Sequence, residues 1–267
     1  MPQNACTEEF WSERTRTNRM RVVVISLRRT PERWKAFLKH NQKSLGNCDL
    51  QRVDGVDGSE LIESKIKSNL IDPSALKNWS AGAIGAGLSH LLCWRMCLNS
   101  RSPLVVLEDD VVLANDWHLK LKRLINPGAK MVLMGWNLDS MLRAEFSKQQ
   151  EMISLFEPAY PSEKELQAIV NSKEIRRRKR LRYSFGLPGY WIEPVIAGHL
   201  LNTIKRLEAV PLDLGRGFPP ITTSGIDSLL NFHYRRFNAE IIIPPLALAL
   251  NNQNTSLTKN HPNAFGE

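Results

Sequence analysis

Four consecutive apolar residues, Leu104-Val105-Val106-Leu107, follow Pro103 and stop at three carboxylates, Glu108-Asp109-Asp110. A run this short is a strand rather than a helix, and its lack of polar alternation marks a strand buried on both faces. Such strands belong to sheets covered by helices on either side. The feature therefore points to an α/β domain with a Rossmann-like, mostly parallel central sheet. Val22 to Leu27 is a second short β-branched run, ended by Arg28-Arg29. Thr30-Pro31-Glu32 then predicts a helix, with Thr30 at the N-cap and Pro31 where a missing N–H costs nothing. Trp34, Phe37 and Leu38 fall on one face of it.

Further strands are expected at Leu50 to Val53, Met131 to Met134 and Ala239 to Ile243. Asp54-Gly55 and Asp57-Gly58 mark turns. Gly82 to Gly87 reads as a glycine-punctuated lead into a helix over Leu88 to Leu98. Ser162 and Glu165 form a capping-box pattern before Leu166, Ile169 and Val170. That helix is expected to run on into the following bases, giving a basic helical segment near 162–183. Pro194 opens another helix, and a Gly/Pro-rich loop from Leu214 to Pro220 leads to Gly225-Ile226-Asp227 and a short helix. No repeat or linker divides the chain. The expected organisation is a polar tail over 1–20, one domain over 21–256 and a second tail over 257–267.

Composition removes several alternatives. With 24% charged and 42% hydrophobic residues in 267, the chain is neither disordered nor fibrous. The longest apolar run, Ile241 to Leu250, contains Pro244 and Pro245 and is too short and broken to span a bilayer. Glu8, Glu9 and Glu13 stand where a secretory signal would be apolar, so the expected location is cytoplasmic, with peripheral contact at the inner face of the membrane. Cys6, Cys48, Cys93 and Cys97 show no disulfide framework. His90, Cys93 and Cys97 share a helical face, but no fourth ligand is near and their apolar neighbours read as core rather than as a zinc site. The net charge of +9 is concentrated in Lys173 to Arg182, seven bases against Glu174. That stretch is either a solvated helix face or a contact for an anionic membrane surface or a phosphorylated glycan. Tyr183 and Phe185 beside it keep a nucleic-acid-associated protein as an alternative, thinly supported without a recognisable binding module.

Ligands of open α/β sheets bind beyond the carboxyl ends of the strands, where Glu108-Asp109-Asp110 sits. Alternation would send Glu108 and Asp110 to one side and Asp109 to the other. Two like charges on one face call for a hard divalent cation, manganese or magnesium, which would also neutralise a departing diphosphate. The alternative is a solvated acidic turn.

A set of short pieces, in order, resembles glycosyltransferase family 25: Val24-Ile25-Ser26-Leu27, Pro31-Glu32-Arg33, Val53-Asp54-Gly55, Gly85-Ala86-Gly87-Leu88-Ser89-His90 and Val106-Leu107-Glu108-Asp109-Asp110. Gly189-Tyr190, Pro211-Leu212-Asp213, Ile226-Asp227 and Pro244-Pro245-Leu246 continue the match. The resemblance runs from about Val22 to Ser256. It implies a GT-A-type fold and an inverting transfer, most often of galactose, from a UDP-sugar to a glycan or glycolipid acceptor such as lipooligosaccharide. It also implies a DXD-like metal site with Asp110 as the direct ligand, Glu108 in support, and Glu108 and Asp109 available to the ribose. Ser26, Leu27, Arg33, Ser89 and His90 are implied nucleotide contacts. His90 has a second reading as a hydrogen-bonded structural histidine, and Arg33 as a surface ion pair. Asp227 is preferred over Asp213 as the catalytic base, the alternatives being a helix N-terminal acid for Asp227 and turn chemistry for Asp213. Ser26 stands where the family commonly has Asn, and Ala247-Leu248-Ala249 where it usually has Gln. A family member that has lost catalysis and only binds sugar is a further alternative, opposed by the intact acidic triplet.

Overall fold

The computed structural model describes residues 19–46, 48–63, 69–125, 128–154 and 159–251. Cys6, the C-terminal tail and nearly all of the N-terminal tail lie outside the described residues. The strands, in chain order, are β1 Met20–Ser26, β2 Cys48–Asp54, β3 Leu104–Glu108, β4 Val111–Leu113, β5 Met131–Leu133, β6 Leu142–Ser147 and β7 Gln150–Ser154. They continue with β8 Arg177–Tyr183, β9 Gly189–Ile192, β10 Pro211–Leu212, β11 Ile221–Thr222, β12 Glu240–Ile243 and β13 Ala247–Ala249.

The central sheet has nine strands in the order β2-β1-β3-β9-β5-β12-β8-β6-β7. β1, β2, β3, β5, β6 and β12 run one way, and β7, β8 and β9 run against them. The mixed α/β sheet flanked by helices is the expected GT-A-like architecture. The two apolar runs are continuous because each strand serves two cores. Val22, Val24, Val105 and Leu107 pack into one cluster with Phe37, Trp117 and Leu166. Val23 and Val106 pack into the other with Ile84, Leu88 and Trp94. At about 1.5–3 kcal/mol for each fully buried aliphatic side chain, these short runs anchor both layers.

The Pro31–Asn41 helix starts on Thr30 and Pro31 as expected, although the Thr30 hydroxyl donates back to Leu27 O at 3.4 Å instead of capping the helix. The side chain of Asn41, 1% exposed, completes one edge of β4. Its Nδ2 donates to Val111 O at 2.7 Å and its Oδ1 accepts from Leu113 N–H at 2.9 Å. The glycine-rich lead is itself helical: the helix runs Ala81–Ser100, capped by Ser80. Gly85 is required there because a Cβ would strike Val56 O and Gly58, where the Gly58–Glu63 helix crosses. The capping box of Ser162 and Glu165 forms on the Glu163–Val170 helix.

The basic helical segment is a correction. The helix stops at Val170, and Arg177–Tyr183 is β8, a strand inside the sheet. Some of its bases are matched by carboxylates on other strands: Arg178 pairs with Glu240 at 2.6 Å, and Arg182 with Glu151 at 2.8 Å and Glu145 at 3.4 Å. Part of the charge that suggested an anionic partner is balanced within the sheet. The guanidinium of Arg143 covers the Tyr183 ring, which removes one of the two aromatics that suggested base stacking. Among the described residues no helix is long and apolar enough to cross a membrane.

Candidate active site

β1 and β3 end side by side, Ile25 opposite Glu108, so Ser26 and Leu27 emerge next to the acidic triplet. A cavity of about 130 Å³ opens at this edge, and its lining includes Ser26, Leu27, Arg33, Ser89, His90, Glu108, Asp109 and Asp110. A second cleft, about 790 Å³, adjoins it and shares Arg33, Asp109 and Asp110. Asp57 and Arg29, which pair with each other, also line the first cavity. Sequence pattern alone assigns neither to the site, although Asp57-Gly58 follows β2 at the same sheet edge.

The triplet is arranged differently from strict alternation. β3 ends at Glu108 and the chain turns at Asp109-Asp110, so both aspartates meet the same arginine. Arg33 donates to Asp109 Oδ1 through Nε at 2.8 Å and Nη2 at 2.6 Å, and its Nη2 lies 3.5 Å from Asp110 Oδ2. Arg33 is thus neither a free surface charge nor a helix-surface pair. Asp109, 6% exposed, is tied to it.

Arg33 compensates Glu108 and Asp110 only in part. Burial, then the nearby charge of Asp227, pushes the Glu108 carboxyl up to about 8, against the pull of Arg33. Burial and then Glu108 raise Asp110 to about 7. Asp110 Oδ1 is buried with no hydrogen-bond partner among the described residues. These two carboxyls resist ionising together unless positive charge joins them. Among the described residues no three His, Cys, Asp or Glu side chains form a metal cage. The pair fits an ion of the magnesium type, which takes one or two carboxylates and completes its shell with waters and substrate phosphates.

His90, 1% exposed, places Nδ1 3.0 Å from the Tyr190 hydroxyl and Nε2 3.4 Å from Glu108 Oε1. Burial lowers it to about 4, opposed by Asp227, so the ring is neutral at physiological pH. Ser89 lines the cavity, but its hydroxyl is engaged: it donates to Gly85 O at 2.7 Å and accepts from Val56 N–H at 2.8 Å. Ser26 is the opposite case, 1% exposed, and its hydroxyl has no hydrogen-bond partner among the described residues. Asp227 lies on the Ile226–Leu230 helix and its Oδ2 accepts from Gly186 N–H at 2.7 Å. Two residues on, Pro188 O accepts from Glu108 N–H at 3.2 Å, so Asp227 stands within a short loop's reach of the triplet. Asp213 accepts from Gly215 N–H at 2.7 Å, which is turn chemistry.

A family model described as glycosyltransferase family 25 (LPS biosynthesis protein) matches residues 20–214. No curated protein matches the chain.

Proposed function

The chain belongs to glycosyltransferase family 25 and is a glycosyltransferase; from that premise we propose that it transfers a sugar, galactose first among the candidates, from a UDP-sugar to a hydroxyl of a glycan acceptor such as lipooligosaccharide, with inversion. One observation carries this reading: the ends of β1 and β3 and the Ala81–Ser100 helix meet around a cavity whose acidic wall has two carboxyls, Glu108 and Asp110, raised by burial in spite of Arg33. The cavity and its adjoining cleft together suit an elongated donor.

In this reading the β1 end and the Ser26 hydroxyl serve the nucleoside. Asp110 and Glu108 hold a manganese or magnesium ion that, when bound, neutralises charge on the leaving diphosphate. Asp227 is the base, with Gly186 N–H orienting its Oδ2. The acceptor oxygen bonds to the anomeric carbon as the bond from that carbon to the diphosphate oxygen breaks. The acceptor proton passes to the Asp227 carboxylate, and the electron pair leaves with UDP. Attack opposite the leaving group inverts the centre.

A panel of UDP-sugars, with and without manganese, tests this by thermal shift and by UDP release. Manganese-dependent stabilisation by one UDP-sugar, with slow UDP release in the absence of acceptor, is expected. No stabilisation by any of them would refute the donor assignment, and stabilisation without turnover would favour a binding-only protein.

A further inference from the structure

The hydrogen bonds behind Glu108 have a fixed direction. An indole N–H donates and cannot accept, and Trp94 Nε1 lies 2.9 Å from the Tyr190 hydroxyl oxygen. Tyr190 therefore receives that proton and has one of its own to give. Its other recorded partner is His90 Nδ1, at 3.0 Å. A neutral imidazole that accepts at Nδ1 carries its proton on Nε2, the atom that lies 3.4 Å from Glu108 Oε1. The opposite wiring, with Nδ1–H donating to Tyr190, would give the hydroxyl two donors and leave its own proton without an acceptor among the described residues. All three aromatic side chains are at most 1% exposed, so water is not at hand to rescue it.

We propose that Trp94 and Tyr190 are positioning residues of the donor site: together they lock His90 as an Nε2–H donor aimed at Glu108 and so orient that carboxylate. The proposal rests on the donor-site reading for its purpose, but not for its geometry. Neither residue touches the cavity, and both act through His90. The arrangement is that of the outer partners which fix the tautomer and aim of inner groups at ligand sites. It also explains why a tyrosine is buried at β9, since a phenylalanine would fill the same space without passing on a proton.

Nitrogen-15 spectra of histidine-labelled protein give the test, with the His90 signals assigned by their loss in His90→Gln. The parent should show His90 in the Nε2–H form. Trp94→Phe, which keeps the Tyr190 hydroxyl but removes its donor, should yield a mixture of tautomers, and Tyr190→Phe should do the same. UDP affinity in the presence of manganese should fall by about 10- to 100-fold in each variant whose tautomer is released. An Nδ1–H parent, variants that keep the Nε2–H form, or unchanged UDP affinity in a variant with a released tautomer would each overturn the proposal. If the parent itself binds no UDP with manganese, the donor-site reading and the proposed purpose fall together, while the tautomer signals still decide the wiring.

Discussion

Asp110→Asn separates the chemistry of the acidic triplet from its effect on stability. In the unfolded chain Asp110 ionises near 3.8, and in the fold at about 7. Folded-state stability contributed by its protonated form is fully present below the lower value and drains away as pH rises to the upper one. Roughly three decades at 1.36 kcal/mol each set a ceiling of ~4 kcal/mol. The Asp110 side chain keeps 23% solvent contact, and Glu108, held at about 8, is largely protonated over the same range. We take about half the ceiling, ~2 kcal/mol. Asparagine has the same shape and no charge to bury. Between pH 4.5 and pH 8 the parent should therefore lose about 2 kcal/mol relative to the variant, a differential shift of ~0.7 M in urea midpoint for a domain with m near 3 kcal/mol/M. Titrations of groups that do not interact with Asp110 cancel in the comparison. Transfer activity should move the other way, by roughly a thousandfold or more, because an amide oxygen is a poor ligand for a hard cation. Urea unfolding at the two pH values, with UDP binding in the presence of manganese, measures both effects. A variant that is less stable than the parent at pH 8, or that binds UDP and transfers sugar as the parent does, would refute the reasoning.

Asp227→Asn should fold and bind UDP normally while losing about 10²- to 10⁴-fold in transfer rate, the usual worth of a positioned base; unchanged turnover would remove Asp227 from the mechanism. Arg33→Met strands Asp109 as an uncompensated buried charge and should cost ~3 kcal/mol in urea unfolding, whereas a loss under 1 kcal/mol would mean that water replaces the guanidinium. Glu151 accepts from Arg143 and Arg182 and lies 3.4 Å from Arg235; although burial opposes it, Arg143 and Arg182 hold its carboxyl below the usual range. Its contribution should be present above the ordinary carboxylate range and fade as pH falls through the lowered value, and Glu151→Gln should cost roughly 2 kcal/mol at pH 7. A variant as stable as the parent at pH 7 would show that the arginines carry no net coupling.

What was legible in the sequence is what local pattern controls. β1 and β3 are apolar because both faces are buried, and the triplet at the end of β3 follows from where such a strand must stop. β8 was illegible because no local rule makes Arg-Arg-Lys-Arg a strand. Glu145, Glu151 and Glu240, on three other strands, supply the charge that allows it. The glycine-rich start of the Ala81–Ser100 helix reads as a lead because the causes lie in other elements: Gly85 meets Gly58, and Gly87 meets the Leu207 side chain. The eight donor-site candidates do line one cavity, yet their partners were hidden: Arg33 meets Asp109 across 76 residues and His90 meets Tyr190 across 100. The residue types were visible, whereas the contacts that assign their work depend on topology.

The Pro31–Asn41 helix is fastened twice to the segment that carries the acids, by Arg33 on Asp109 and by Asn41 on Val111 and Leu113. The two anchors are eight residues apart on the helix, about 12 Å at 1.5 Å per residue. The facing stretch leaves the turn at Asp109-Asp110 and runs into β4, so it spans less than the ~13 Å that four extended steps would cover. With both ends of each stretch pinned, the pairing imposes a gauge on both. Deleting or inserting one residue between Arg33 and Asn41 would turn one anchor by about 100° about the helix axis and pull it out of register. A single-residue change in the 109–113 stretch would do the same from the other side. Length variation should therefore be excluded within 33–41 and within 109–113, whereas the chain that joins these two stretches is free of this gauge.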